Sequence, residues 1–175
     1  MGALMESRAG FGLRLTASLI DLVLIILGGI VIGSVFGAVL GGIFGGMLAS
    51  FESLRGFWGG VLGSLIGISV FGTLYNLLEG LFGATIGKML IGLKIGDADG
   101  TKAGIGKLFF RYLLKNITFV CSLLAGILGI AILTKIGAVL GLIWFLGCFL
   151  VLSRTRQGLH DMIAGTAVYP RKVLR

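Results

Sequence analysis

Charge is what this chain has least of. Asp, Glu, Lys and Arg make up 13% of its 175 residues, against about 25% in ordinary soluble domains. Proline is confined to Pro170, histidine to His160 and cysteine to Cys121 and Cys148. No Cys/His cluster has zinc spacing, and a single histidine gives a Ser-His-Asp or metallohydrolase site little to stand on, so neither enzyme, metal nor cofactor is expected. A disordered chain would be polar, which this one is not. The 32 glycines follow no G-X-Y period, which excludes collagen. What is abundant is apolar: 57% of the residues are hydrophobic and the mean hydropathy is +1.09, as in a polytopic membrane protein of one domain.

Four windows carry no charge at all: 22–51, 56–78, 116–134 and 136–153. A helix rising 1.5 Å per residue needs about 20 apolar residues to cross roughly 30 Å of hydrocarbon, so each window is long enough for one crossing. The reading is an all-α integral membrane protein, a single domain over 1–175, with four transmembrane helices at about 13–40, 56–78, 113–134 and 136–153. The first window is too long for one span. Gly41, Gly42, Gly45 and Gly46 offer a place to break, giving a span to about residue 40 and then a glycine-rich extracytoplasmic segment or helix extension ending at Glu52. A re-entrant hairpin is the alternative, and it would need its backbone groups buried in protein.

The net charge of +8 is distributed as a topology signal. Of 15 basic residues, 13 fall in the N-terminal flank, the loop 79–112 with its boundary, and the tail 154–175; only Arg55 and Lys135 lie in the opposite loops. Positive charge inside places both termini and the middle loop in the cytoplasm of a multi-pass protein of the cell inner membrane. The basic excess then meets anionic lipid headgroups on that side, and no nucleic acid is expected. The first apolar segment is expected to act as an uncleaved anchor. Both cysteines fall in the cytoplasmic part of their spans and should be reduced packing residues.

Within the loop, 82–95 reads as a cytoplasmic amphipathic segment between the second and third spans, with Met89, Leu90, Ile91, Leu93 and Ile95 at the interface and Lys88 and Lys94 reaching headgroups. The run from Asp97 to Gly100 is a turn. A helix should resume at Ile105, with Lys107, Arg111 and Lys115 on one cytoplasmic face. Asp97-x-Asp99-Gly100 looks like part of a calcium loop, but position twelve is Leu108, so no EF-hand is present.

Glycine spacing is the clearest internal pattern. Gly29, Gly33, Gly37, Gly41 and Gly45 recur every fourth residue, and so do Gly59, Gly63 and Gly67. Residues at i and i+4 share a helix face, so each series forms a smooth groove where another backbone can approach. Packing of the first two helices and a glycine-zipper oligomer both fit that pattern.

Asp21 is the one acid inside a span. A desolvated carboxylate in a membrane is usually retained for function, and its charge state depends on what pairs with it. Arg14, seven residues earlier, shares its helix face. These two residues, the loop Gly87-Lys88-x-x-x-Gly92-Leu93-Lys94-Ile95 through Asp99-Gly100 to Arg111-Tyr112, and the late block Arg156-Gln157-Gly158-Leu159-His160-Asp161-Met162-x-Ala164-Gly165-Thr166 together resemble the RDD family of small bacterial and archaeal membrane proteins. The family arginine matches Arg14 and the two aspartates match Asp21 and Asp161. The resemblance implies a multipass membrane protein that transports an unidentified ligand, some members being similar to sodium/proton antiporters. The glycine-rich stretch 37–46 departs from the typical member.

Topology allows Arg14 to pair with Asp161 and leaves Asp21 to face the bundle interior. Asn76, Glu79, Arg111, Asn116 and His160 are further candidates to line an inward-facing cavity. Three functions stay open. The first is a small transporter or cation/proton exchanger in which Asp21 alternately holds a proton and a monovalent cation. The second is a membrane adaptor or assembly factor with a structural Arg/Asp network, and the third an oligomeric glycine-zipper channel. Four helices are few for alternating access, so a homo-oligomer is expected for transport.

Overall fold

The computed structural model describes residues 5–44 and 52–174. Their elements, in chain order, are helix α1 (Phe11–Phe44), α2 (Glu52–Phe82), α3 (Ile86–Leu90), strand β1 (Leu93–Asp97), α4 (Ile105–Lys115), α5 (Ile117–Leu128), α6 (Ile132–Gly147) continued as a 3-10 helix (Cys148–Leu152), α7 (Leu159–Ala164) and strand β2 (Thr166–Pro170). They group into two compact units, Ile20–Tyr75 and the remainder, Met1–Leu19 with Asn76–Arg175.

In the Ile20–Tyr75 unit, α1 and α2 pack through glycine. A Cβ at Gly67 would meet the Gly29 carbonyl oxygen and the Gly33 backbone; one at Gly29 would meet the Ile68 backbone, and one at Gly28 the Phe71 ring. This is backbone against backbone, the contact that small residues permit when no hydrophobic force drives helices together in lipid. Gly37 and Gly41 on α1, and Gly59 and Gly63 on α2, lie where only the backbone is described; Gly45 lies outside the described residues. Helix α1 runs unbroken past Gly41 and Gly42 to Phe44.

The other unit closes around a two-stranded antiparallel sheet. Leu93 faces Pro170, Ile95 faces Val168 and Asp97 faces Thr166, and Ala9 extends the pairing by donating its N–H to the Val168 carbonyl at 2.8 Å. Ala9, Ala17, Leu93, Ile95, Leu108 and Val168 form its apolar centre. The all-helical expectation is corrected here. Apolar residues at 89, 90, 91, 93 and 95 suit one face of a helix, but Gly92 adopts φ 76°, which ends α3 after one turn. From there Leu93 and Ile95 point inward in strand alternation. The tail likewise carries α7 and β2.

Among the described residues, two helices are long and apolar enough to cross a membrane, over Phe11–Val35 and Ile132–Leu152, and the pair α4 plus α5 would make a third if it were one span. That pair is bent by 76°. The expected span 113–134 is therefore divided: 113–115 belong to α4, Asn116 leaves helical geometry at φ −104° and ψ 25°, and the apolar helix starts at Ile117. The Asn116 side chain donates to the Tyr112 carbonyl at 2.9 Å, a local bond that competes with helix continuation. Helices α5 and α6 then form a tight hairpin. Gly129 caps α5 at φ 68°, and Thr118 donates to the Gly137 carbonyl at 2.9 Å across the two legs.

Candidate functional site

Among the described residues, two groups of polar side chains are buried, one in each unit. The larger is centred on Asp161, in the first turn of α7 and fully buried. Its Oδ2 accepts from Arg14 at 2.6 Å and from the Gly158 N–H at 3.2 Å, and its Oδ1 accepts from the Arg111 Nε at 2.6 Å. Arg111 is itself buried on α4 and makes a second ion pair, with Glu79 near the end of α2. Glu79 also takes the Lys88 ammonium at 2.6 Å and the Lys115 ammonium at 3.1 Å. One continuous chain of charges therefore runs from Arg14 through Asp161, Arg111 and Glu79 to two lysines. An unpaired ion among these would cost several kcal/mol, and their mutual placement removes that penalty.

Burial alone would raise the Asp161 carboxyl, but Arg111, with Arg14, outweighs it and holds the group well below the usual carboxylate range. His160 goes the other way: burial first, then Arg111, pushes its pKa down to about 3. The imidazole is thus neutral at pH 7. Its Nε2 lies 3.1 Å from an Arg111 N–H that can only donate, so Nε2 accepts and the ring proton sits on Nδ1. The 3.4 Å approach of Nε2 to Asp161 is consequently not an ion pair.

Backbone carbonyls complete the arginine shells. Arg14 donates to the carbonyls of Ala9 at 3.1 Å and Arg156 at 2.6 Å, the latter residue held at φ 50°. Arg8, also buried, donates to the carbonyls of Thr155 and Ala98 at 2.8 Å each and to the Gln157 Oε1 at 2.9 Å. Gln157 in turn donates to the Thr166 carbonyl at 2.7 Å.

The smaller group lies in the Ile20–Tyr75 unit. Asp21 on α1 and Tyr75 on α2 are both buried, and the Tyr75 hydroxyl donates to the Asp21 Oδ1 at 2.5 Å. That is at the short end of the range for an O–H···O bond.

The sequence-derived candidates thus part company. Arg14, Asp161, Arg111, Glu79 and His160 come together, but packed against one another instead of lining an open cavity. Asn76 accepts from Lys115 at 3.2 Å at the exposed edge of the network, and Asn116 serves the α4–α5 bend. Lys88 is buried on Glu79, which corrects the expectation that it reaches headgroups. The face carrying Lys107, Arg111 and Lys115 is turned toward the chain's own carboxylates, Lys107 meeting Asp97 at 2.6 Å. Tyr75, Arg8, Lys88, Lys115 and Gln157 were not among the candidates. A signal existed for Lys88 and Lys115, since Glu79 needs nearby cations if it is buried; none existed for Tyr75, 54 residues from its acid.

Residues 8–165 match the profile described as the RDD family. No curated protein and no solved structure matches the chain.

Proposed function

The chain belongs to the RDD family of membrane proteins, and from that membership we propose a small secondary transporter that exchanges protons for monovalent cations at Asp21. The observation that carries this reading is the buried Asp21–Tyr75 hydrogen bond at 2.5 Å. A carboxylate in a desolvated site can hold a proton or a small cation, and a tyrosine hydroxyl can stand in for the departing ligand between the two. No catalytic chemistry is assigned to it. The proposed setting is the cell inner membrane, with both termini and the charged unit on the cytoplasmic side beside anionic headgroups, four helix legs in the bilayer and more than one subunit for alternating access.

A second reading has its own support. Asp161 and Glu79 are saturated by cations of the same chain, as befits a structural network, and a membrane adaptor or assembly factor would need nothing further. Flux decides between the two. Proteoliposomes holding the wild-type protein should show pH-dependent Na⁺ or K⁺ movement that Asp21→Asn abolishes and Tyr75→Phe alters in its pH profile, both variants remaining folded. Wild-type vesicles that move no ion under any of the Na⁺, K⁺ and H⁺ gradients would sink the transport reading in favour of the adaptor. A glycine-zipper channel would instead require defined oligomers, visible by native mass spectrometry, whose size changes in Gly63→Leu.

A further inference from the structure

Helix α4 sorts its residues by chemistry. At 100° per residue, Lys107, Arg111 and Lys115 fall on one narrow stripe, while Ile105, Phe109, Phe110 and Leu113 occupy the opposite side. The stripe is paired with the protein's own carboxylates, Asp97, Glu79 and Asp161, with Arg111 buried among them and Lys107 and Lys115 reaching theirs from the exposed edge. The apolar side is left outward: Ile105 is 64% exposed, Phe110 46% and Phe109 43%. A helix on a soluble surface would turn such large apolar side chains inward.

The neighbouring chain says what covers that face. One residue separates α4 from α5, and α5 with α6 forms a hairpin whose outward residues are almost all apolar, among them Leu123, Leu124, Ile127, Val139 and Leu142. Asn116 therefore stands where the chain enters hydrocarbon, and the 76° bend sends α4 sideways from that point. Were α4 instead the straight beginning of a span, its basic stripe and the acids bonded to it would be carried into the bilayer. We propose that α4 is an interfacial helix, lying in the plane of the membrane with Ile105, Phe109 and Phe110 seated in the acyl chains of the leaflet that α5 enters. The ion network then sits directly behind the helix, and the lipid seals it from one side.

Depth measured along the helix tests this. Nitroxide labels at single cysteines replacing residues 105, 107, 109, 110 and 113, on a Cys121→Ala/Cys148→Ala background in phosphatidylcholine/phosphatidylglycerol liposomes, are read by oxygen and nickel-chelate relaxation. An in-plane helix gives depth that oscillates with helical period: residues 105, 109 and 110 shallowly buried and rich in oxygen, residue 107 open to the chelate. Depth that increases steadily from 105 to 113 would overturn the proposal in favour of a continuous span. Apolar positions closed to both reagents would overturn it in favour of a second copy or another protein, and positions open to the chelate would place the face in water. Phe109→Trp, quenched by brominated lipids in the native cysteine background, gives the same answer should the cysteine-free chain fail to fold: quenching is strongest for bromines near the headgroup, and absent if protein covers the face.

Discussion

Arg111 is the residue on which the charged unit turns, since it pairs with both Asp161 and Glu79. A lysine offers one ammonium where the guanidinium offers donors in a fork, so it cannot serve Asp161 through Nε and Glu79 through its terminal nitrogen together. Arg111→Met leaves Glu79 with its lysines and Asp161 with Arg14, and should cost less than the about 3–5 kcal/mol of a buried charge left with no partner at all. Thermal unfolding in detergent would show it as a lowered midpoint; an unchanged midpoint would mean that the carboxylates find other cations. His160 sets a second expectation. Its pKa is about 3 in the folded chain and 6.5 when unperturbed, so between those values the unfolded chain binds the extra proton. Stability should be fully present above pH 6.5 and decline as pH falls toward 3. Asp161, whose folded pKa is lowered from 3.8, adds a loss that begins only below that value. The variant His160→Asn should therefore flatten the unfolding profile between pH 6.5 and about 4 and leave the more acidic loss in place; a wild-type midpoint that does not move across that range would contradict the neutral buried imidazole.

Among the elements, α1 and α2 make the sharpest use of what the sequence displays. The fourfold glycine spacing was visible from the start, but spacing alone cannot say whether the groove meets a helix of the same chain or of another. Gly29, Gly33 and Gly67 meet within one chain. Gly67→Leu would push its side chain into the α1 backbone, which has no rotamer with which to yield. The expected outcome is a large loss of thermal stability with the mass of the detergent-solubilised assembly unchanged; a changed assembly with intact stability would return the groove to an oligomer contact. The strand pair was illegible for a different reason. β1 is five residues long and its partner lies beyond four further helices, so neither periodicity nor turn chemistry marks it as a strand. Only Gly92 at positive φ distinguishes the run from a helix, and glycines are too common here to single one out. The bend at Asn116 was hidden likewise, because a charge-free window records composition and not direction.

For the whole molecule, composition was a reliable guide to the class and a poor one to the interior of the charged part. That Arg14 would meet Asp161 followed from placing both on the same side of the membrane, whereas the doubling of the network through Arg111 and Glu79 depended on a fold that the basic loop concealed. Counting lysines and arginines as a topology signal treats them as solvated, yet Arg8, Lys88 and Arg111 are buried. The pairing of β1 with β2, and of Arg14 with Asp161, also sets an order of events. Residues 93–97 and the arginine at the head of α1 leave the ribosome long before residues 161–170 do, and until then their partners do not exist. Arg14 and an open strand edge must wait while the α5–α6 hairpin is made, and closure comes only with residues 161–170. Synthesis thus places the α5–α6 hairpin before the closing of the charged unit, and a chain halted before Asp161 would carry the hairpin with the Arg14 side chain and the β1 edge still open.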